Sequence, residues 1–350
     1  MRATATSLDR VLTTLGHREP DRVPLFLLPS LQGARELGLS IREYYSSAPN
    51  VVEGQFRLRA KYGHDCYFGF FYGAIEMEAW GGETRFFDDG PPNSGPPLAT
   101  RAGQILELRP PRIEECARLR QVLDAISGLK ERAAGEVPVL GVVMSPYSVP
   151  VMQLGFERYL DWQIEAPEAI GHLWRINERF CVDWANAQLQ AGATAICYFD
   201  PLASPTVTSP KVYRNTGWRI ARRCLERIAG PTATHLASGR CLPVIDDLAQ
   251  TGTAAIGVSA LEDLAEVKRA CAGRLTVLGN LNGIEMRRWT PAQAEAAVKE
   301  AIAKAAPGGG FVLSDNHGEI PWQVSDDILM AVSEAVRRWG EYPLRGQSEG

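Results

Sequence analysis

The segment AAIGVSALEDLAEVKRACAGRLTVLGN, residues 254–280, contains a complete strand–helix–strand unit. Two apolar runs, 254–258 and 275–278, flank a stretch of helical periodicity at 260–272, which Ser259 opens as a predicted N-cap. Both runs are almost uniformly apolar, which is typical of parallel strands that are covered on both faces. The segment therefore predicts an α/β protein built around a parallel sheet.

The same pattern recurs along the chain. Further helices are predicted at 211–229, at 242–250 and from Pro291, where Thr290 followed by proline is a typical helix start. Eight β-then-α units in 350 residues predict a TIM (β/α)8 barrel, and a doubly wound open sheet is the competing fold. The eight predicted strands are 23–28, 66–70, 139–144, 193–199, 233–235, 254–258, 275–278 and 311–313.

One segment departs from the repeat. Residues 71–111 hold three proline pairs and several glycines, and we expect loops and a small hairpin that cross the C-terminal mouth of the barrel. We expect a single catalytic domain over residues 1–344 and a disordered tail at 345–350.

Composition narrows the class of function. The formal net charge of −4 gives no basic face for nucleic acid. The N-terminus lacks the apolar core of a secretory signal, and we find no apolar run long enough to span a bilayer. The seven cysteines are scattered without a C-x-x-C pair, which predicts reduced thiols. We therefore expect a cytoplasmic enzyme that contacts neither membrane nor nucleic acid.

Polar residues follow five successive predicted strands. In a TIM barrel the chemistry lies at the C-terminal strand ends, so these residues should converge. Each also has a plain structural explanation: a turn, a helix cap, a loop contact or a satisfied core histidine. The residues are Asp200, His235, Ser259, Asn280, and Asp315 with His317.

Two histidines on one rim have two chemical interpretations. Imidazoles with nearby carboxylates can bind zinc or another divalent metal. They can also act as general acid and base, because histidine titrates near neutrality. No H-x-x-x-H, H-E-x-x-H, phosphate-binding loop, nucleophile elbow or dinucleotide fingerprint is present to decide between them.

Several of these segments resemble the uroporphyrinogen decarboxylase superfamily. They are REPDRVP (18–24), DPLAS (200–204) with Ser209-Pro210, the strand end at His235, GNL (279–281) and the turn 315–318. EMEAWG (76–81) and FFDDGPP (86–92) look like the branch of cobalamin-dependent methyltransferases that includes methylcobalamin:coenzyme M methyltransferases. The resemblance implies a TIM barrel, a corrinoid-linked methyl transfer and a homodimer.

The sequence departs from both groups at their sites. The decarboxylases carry R-Q-A-G-R after the first strand, and here residues 29–35 read PSLQGAR, so porphyrinogen decarboxylation is not expected. The methyltransferases bind zinc through H-x-C and a later cysteine in a glycine-flanked turn. Here Ala237 and His317 stand in place of the two cysteines, and only His235 matches. Cys241 lies six residues beyond His235, near the predicted start of the following helix, and is not expected to replace the first cysteine.

The leading hypothesis is a methyltransferase that exchanges a methyl group between a small substrate and a cobalamin, which a separate corrinoid protein carries. The rim either holds a weaker or different metal through His235, His317 and a carboxylate, or uses the histidines without metal as acid and base. A lyase or decarboxylase of a non-porphyrin acid is the alternative, favoured if Arg35 or Arg59 lines the cavity, and a non-catalytic binding protein is the third hypothesis. The predicted catalytic residues are His235, His317 and Asp200, and the predicted substrate contacts are Asn280, Asp315, Glu76 and Tyr147.

Overall fold

The structure is a computed structural model that describes residues 5–344. Eight parallel strands form one sheet in the order β1-β10-β9-β8-β7-β6-β5-β2, and β3 and β4 form a separate antiparallel hairpin. The strands are β1 Leu25–Phe26, β2 Tyr67–Phe68, β3 Thr84–Arg85, β4 Asn93–Ser94, β5 Val139–Met144, β6 Ala195–Phe199, β7 Thr232–His235, β8 Ala255–Gly257, β9 Thr276–Leu281 and β10 Phe311–Asp315.

Helices follow the strands and cover the outside of the sheet. The longest, α10, is 25 residues long. They are α1 Ser7–Leu15, α2 Gln32–Leu37, α3 Ile41–Tyr44, α4 Ala48–Tyr62, α5 Ile75–Ala79, α6 Ala102–Glu107, α7 Ala117–Ala133, α8 Pro150–Leu154, α9 Phe156–Glu165, α10 Pro167–Ala191, α11 Pro210–Asn215, α12 Gly217–Leu225, α13 Ile245–Ala249, α14 Leu264–Cys271, α15 Pro291–Ala305 and α16 Asp326–Trp339. No helix within the described range 5–344 is both long and apolar enough to cross a membrane.

The sheet closes on itself, so the predicted TIM barrel is confirmed and the open doubly wound sheet is wrong. Each of the eight predicted runs overlaps one barrel strand, and β7, β9 and β10 extend beyond their predicted bounds. The two ends of the order, β1 and β2, come together where Asp65, two residues before β2, donates its backbone N–H to the carbonyl of Leu25 in β1 at 2.7 Å. The tail 345–350 lies outside the described residues, and the single domain over 1–344 stays a prediction.

Two helix predictions differ from the structure. The helix predicted at 211–229 is split into α11 and α12 at Thr216, whose φ of −128° and ψ of −90° are not helical. The predicted N-cap at Ser259 is wrong, because α14 starts later and Asp263 accepts the N–H of Glu266 as its cap. Ser259 instead donates its hydroxyl to the Ser238 carbonyl at 2.8 Å.

Residues 71–111 form the expected hairpin, β3 and β4, with short helices on either side. The loop of the hairpin reaches the C-terminal mouth, where Pro91, Pro92 and Asn93 line the cavity described below. The side-chain amide of Gln323 donates to the Asp89 carbonyl at 2.8 Å and holds the loop there.

A buried carboxylate joins α1 to the seam between β1 and β2. Asp65 accepts hydrogen bonds from the guanidinium groups of Arg10 and Arg22, from the hydroxyl of Ser7 and from the backbone N–H of Leu25. Burial alone would raise the pKa of this carboxyl, but the two arginines and the hydrogen bonds outweigh it and lower the pKa below its ordinary value. The charge therefore stays buried and paired, and it fixes α1 beneath the barrel.

We expect Asp65→Asn to lower the free energy of unfolding by about 3–5 kcal/mol, because it leaves two arginine charges buried without their counter-ion. Because the pKa of Asp65 is lowered on folding, its stabilisation should be present at neutral pH and lost as the pH falls below 4. Urea denaturation at several pH values measures both effects. Glu114→Gln is the control, because its ion pair with Arg112 is exposed. Equal effects of the two substitutions would contradict the role of Asp65.

Candidate active site at the C-terminal mouth of the barrel

One continuous cavity of about 310 Å³ occupies the inside of the barrel. Alternate residues of β5 line it, as expected where every second side chain points inward, while on β6 and β7 some consecutive residues line it as well. The lining is overwhelmingly apolar, and none of its side chains within residues 5–344 is a lysine or arginine. Its two imidazoles, His235 and His317, and its carboxyl group, Glu319, lie at or just beyond the C-terminal ends of β7 and β10, at the mouth.

His235 is a buried, neutral imidazole in the wall of this mouth. Burial lowers its pKa to about 4, and the charge of nearby His317 acts in the same direction. Its Nδ1 accepts the backbone N–H of Ala237 at 3.0 Å, so the proton of the neutral ring is on Nε2. Among residues 5–344, Nε2 has no hydrogen-bond partner, which leaves one buried donor free.

Three neighbours fix the position of the His235 ring. Phe199 stacks on it with ring centroids 5.6 Å apart. Gly257 lies so close that a Cβ there would be 2.2 Å from Cδ2 of the imidazole, and only glycine leaves room for the ring. Gly318 closes the other side, with its Cβ position 3.2 Å from Cε1. The ring is therefore locked between β6, β8 and the turn after β10.

His317 is the second imidazole of the mouth, and it is only partly buried. Its Nδ1 lies 3.0 Å from the hydroxyl of Ser238. Asp315 holds the turn below it, because its Oδ2 accepts the backbone N–H groups of His317 and Gly318 at 2.7 and 2.8 Å. Burial raises the pKa of Asp315. Asp315 therefore positions His317 and does not itself line the cavity.

Glu319 completes the mouth, and we did not predict it from the sequence. Its carboxylate lines the cavity and accepts the hydroxyl proton of Ser30. Burial raises the pKa of Glu319 to about 7, because it outweighs the Ser30 hydrogen bond, which lowers the pKa, and the charge of Asp315 adds a smaller raising effect. It is two residues beyond His317, so the same turn presents both side chains. Its position two residues after His317 was the only feature of the sequence that could have indicated a place at the mouth.

Three predicted residues lie behind the wall of the cavity. Asp200 accepts the hydroxyl protons of Ser145 and Ser148 at 2.6 Å each and so ties the turn after β5 to the end of β6. Burial raises its pKa to about 6 despite these two donors. Glu76 accepts the backbone N–H of Met144 at 2.9 Å, and burial raises its pKa to about 8. Tyr147 is packed between Tyr159 and Trp174.

Asn280 lies in a different pocket, outside the barrel, which Glu262, Trp289 and Lys304 also line. Its amide donates to the Ser259 carbonyl at 2.9 Å and so holds the loop after β8. Of the seven predicted site residues, the structure thus brings His235 and His317 to the central cavity. Asp315 supports them from below, while Asp200, Glu76, Tyr147 and Asn280 hold the surrounding loops.

The residues at the mouth do not fit a zinc ion. Within residues 5–344, no group of three or more His, Cys, Asp or Glu side chains has an arrangement that could bind a metal. His235 uses Nδ1 to accept the Ala237 N–H and presents a protonated nitrogen on its other side. Cys241 is turned away, since its thiol donates to Glu262 at 3.3 Å. The donor set therefore supports acid–base chemistry better than metal ligation.

Known proteins resemble this chain along most of its length. The family model for uroporphyrinogen decarboxylase (URO-D) matches residues 6–339. A uroporphyrinogen decarboxylase of Xylella fastidiosa is 27% identical over 355 residues, 94% of this chain and 98% of that protein. The methylcobamide:CoM methyltransferase MtaA of Methanosarcina barkeri is 26% identical over 200 residues, 55% of this chain and 59% of that protein. The solved structure of a methyltransferase from Methanosarcina mazei has the same fold, with a TM-score of 0.85 at 21% identity over 95% of this chain and 99% of that one.

We expect Glu319→Gln to remove a pH dependence of stability. The raised pKa means that the folded protein holds this proton more tightly than the unfolded chain. Wild-type stability should therefore fall, relative to the variant, as the pH rises from about 4.5 to about 7, and then stay level. Urea denaturation of both proteins across this range gives the difference. A difference that does not vary with pH would contradict the raised pKa.

We also expect the purified protein to bind no stoichiometric zinc at the mouth, and the double variant A237C/H317C to gain zinc, because it introduces two thiolate ligands that the native mouth lacks. Elemental analysis after dialysis measures this. One zinc per chain in the native protein, lost in His235→Ala, would show that the donor set has been misjudged.

Proposed function

Because the chain belongs to the uroporphyrinogen decarboxylase family, we propose that it is an enzyme that transfers a methyl group between a small substrate and a corrinoid carried by a partner protein. The observation that carries the proposal is the composition of the cavity. An apolar space without a lysine or arginine in its lining ends in two imidazoles and a carboxyl group of raised pKa. Such a site is suited to a neutral substrate whose reacting heteroatom gains or loses a proton.

Proton transfer is the step of this reaction that the side chains of this protein can carry out. When a methyl–heteroatom bond breaks, its electrons leave with the methyl group's former partner, and that heteroatom needs a proton. Glu319 has a pKa of about 7, so near neutral pH it is present in both the protonated and the ionised form. We assign proton transfer at the heteroatom to Glu319 and His317. The same two groups take up the proton in the reverse direction.

His235 has a different role in this proposal. Its neutral ring offers the Nε2 proton as a fixed donor, which suits a hydrogen bond to the substrate heteroatom or to a water molecule beside it. Ser238 and Asp315 are positioning residues, because they act on His317 and its turn. A corrinoid docked at the mouth would supply the centre that accepts or donates the methyl group.

Decarboxylation of a non-porphyrin acid is the second candidate, and similarity to a decarboxylase over 94% of the chain favours it. An acid substrate would need cations, and the two that we considered do not line the cavity. Arg35 donates to the carbonyl groups of Trp322 and Val324, and Arg59 contacts the Ser7 hydroxyl and the ring of Tyr67. We therefore rank methyl transfer first. The third hypothesis, a non-catalytic binding protein, gives no role to a cavity carboxyl group with a raised pKa such as Glu319.

The test is corrinoid methylation in solution. Reduced cobalamin and a panel of O-, N- and S-methyl compounds are incubated with the protein, and formation of methylcobalamin is followed by its absorbance. We expect turnover with at least one compound, and a loss of about 10²–10⁴-fold in His317→Ala or Glu319→Gln, the range for removing a general acid or base.

His172→Ala is the matched control, because its ring contacts the Leu108 carbonyl away from the cavity. It should keep full activity. Carbon dioxide release from an acid without any corrinoid would favour the decarboxylase instead. Turnover that is unchanged in both mouth variants would refute the assignment of proton transfer.

A further inference from the structure

The interior of this barrel is emptier than a TIM barrel normally is. Bulky branched side chains usually fill such an interior in layers, leaving a packed core. Here several inward positions carry small side chains on adjacent strands, and all of them line the cavity: Ala195, Cys197, Ala233 and Ala255. Register places Cys197, Ala233 and Ala255 side by side across β6, β7 and β8. The void is thus built into three neighbouring strands.

The cavity is deep as well as wide. Its lining includes the first residues of several strands, such as Thr232 and Thr276, as well as the groups at the mouth. On β5 it includes Leu140, Val142 and Met144, three alternate positions along a strand of six residues. A rise of about 3.3 Å per residue and a tilt of about 36° make this strand about 13 Å long along the barrel axis.

Helix α1 forms the floor. Leu8, Val11, Leu12 and Leu15 line the lower end of the cavity, and their spacing puts them on one face of the helix. The helix is held in place from outside the cavity, because Leu8 donates its backbone N–H to the Glu136 carbonyl and Ser7 donates to Asp65. The floor is therefore apolar and anchored.

We propose that the axial cavity binds an elongated apolar substrate, with a hydrocarbon tail that reaches down towards α1 and a reacting heteroatom held at His317 and Glu319. The tail fits because most of the lining from the mouth to α1 is apolar, and the threonines among the deep lining residues carry no charge. The heteroatom belongs at the opposite end, because the imidazoles of His235 and His317 and the carboxyl group of Glu319 stand at the mouth. The assignment of a reacting heteroatom to the mouth rests on the proposed methyl transfer. The assignment of a hydrocarbon tail to the interior rests on the shape and lining of the cavity alone.

Straight-chain 1-alkanols from butanol to decanol test the tail by isothermal titration calorimetry. We expect Kd to fall about fourfold for each added methylene that the cavity accepts, and then to level off. Ala233→Leu and Ala255→Leu fill the middle of the cavity, so the levelling should occur at a shorter chain. Ala292→Leu makes the same change on an exposed helix surface and should leave the series unchanged.

Thermal melting verifies that the filled variants are folded, and we expect them to be at least as stable as the native protein. If either leucine variant fails to fold, Ala255→Val should give a smaller shift in the same direction. A native Kd that does not depend on chain length, or a series unaffected in both folded variants, would overturn the proposal. Chain-length dependence without any corrinoid methylation would instead overturn the proposed function and leave the apolar binding site standing.

Discussion

The barrel depends on the seam where its first and second strands meet. Both strands are short, and each pairs with its other neighbour through only two residues. Asp65 supports this seam, because it receives a backbone N–H of β1 and two guanidinium groups while its own N–H bonds to β1. Placing a carboxylate in a protein interior is unfavourable unless it is fully paired, and here every oxygen has partners. Asp65 also holds α1, the helix that forms the floor of the cavity. The same carboxylate therefore supports both the closure of the barrel and the lower end of the cavity.

The cavity has an energetic consequence for the whole molecule. An interior volume of about 310 Å³ that no side chain fills forgoes the packing contacts that a filled barrel interior makes. The compensation comes from two large apolar cores between the strands and the outer helices. The inward-facing residues form a separate, smaller cluster. The outer face of the sheet thus provides the packing that stabilises the protein, and the inner face lines the cavity. This division is possible because successive side chains of a strand point to opposite faces.

The substitutions at the mouth explain why the site handles protons. In the resemblance, a cysteine occupies the position of Ala237 and another that of His317. Alanine at 237 has no thiolate to offer, and the backbone N–H at that position, which does not depend on the side chain, donates to Nδ1 of His235 and fixes its tautomer. With histidine at 317, a second imidazole with a serine partner faces the cavity. Both changes move the site from thiolate ligands towards proton donors and acceptors, and Glu319 adds a carboxyl group that ionises near neutrality.

The sequence by itself determined the eight strands, their order of appearance and the two histidines at one rim, because apolar runs and the residues after them are local patterns. It also predicted the hairpin over the mouth from its prolines. Only the tertiary structure decided which polar residues face the cavity. Asp200, Glu76 and Tyr147 turn behind the wall and Asn280 points into another pocket, because hydrogen-bond partners distant in the chain attract each side chain. The role of Glu319 and the unfilled barrel interior could not be predicted from the sequence for the same reason. Both depend on groups that only the closed sheet brings together.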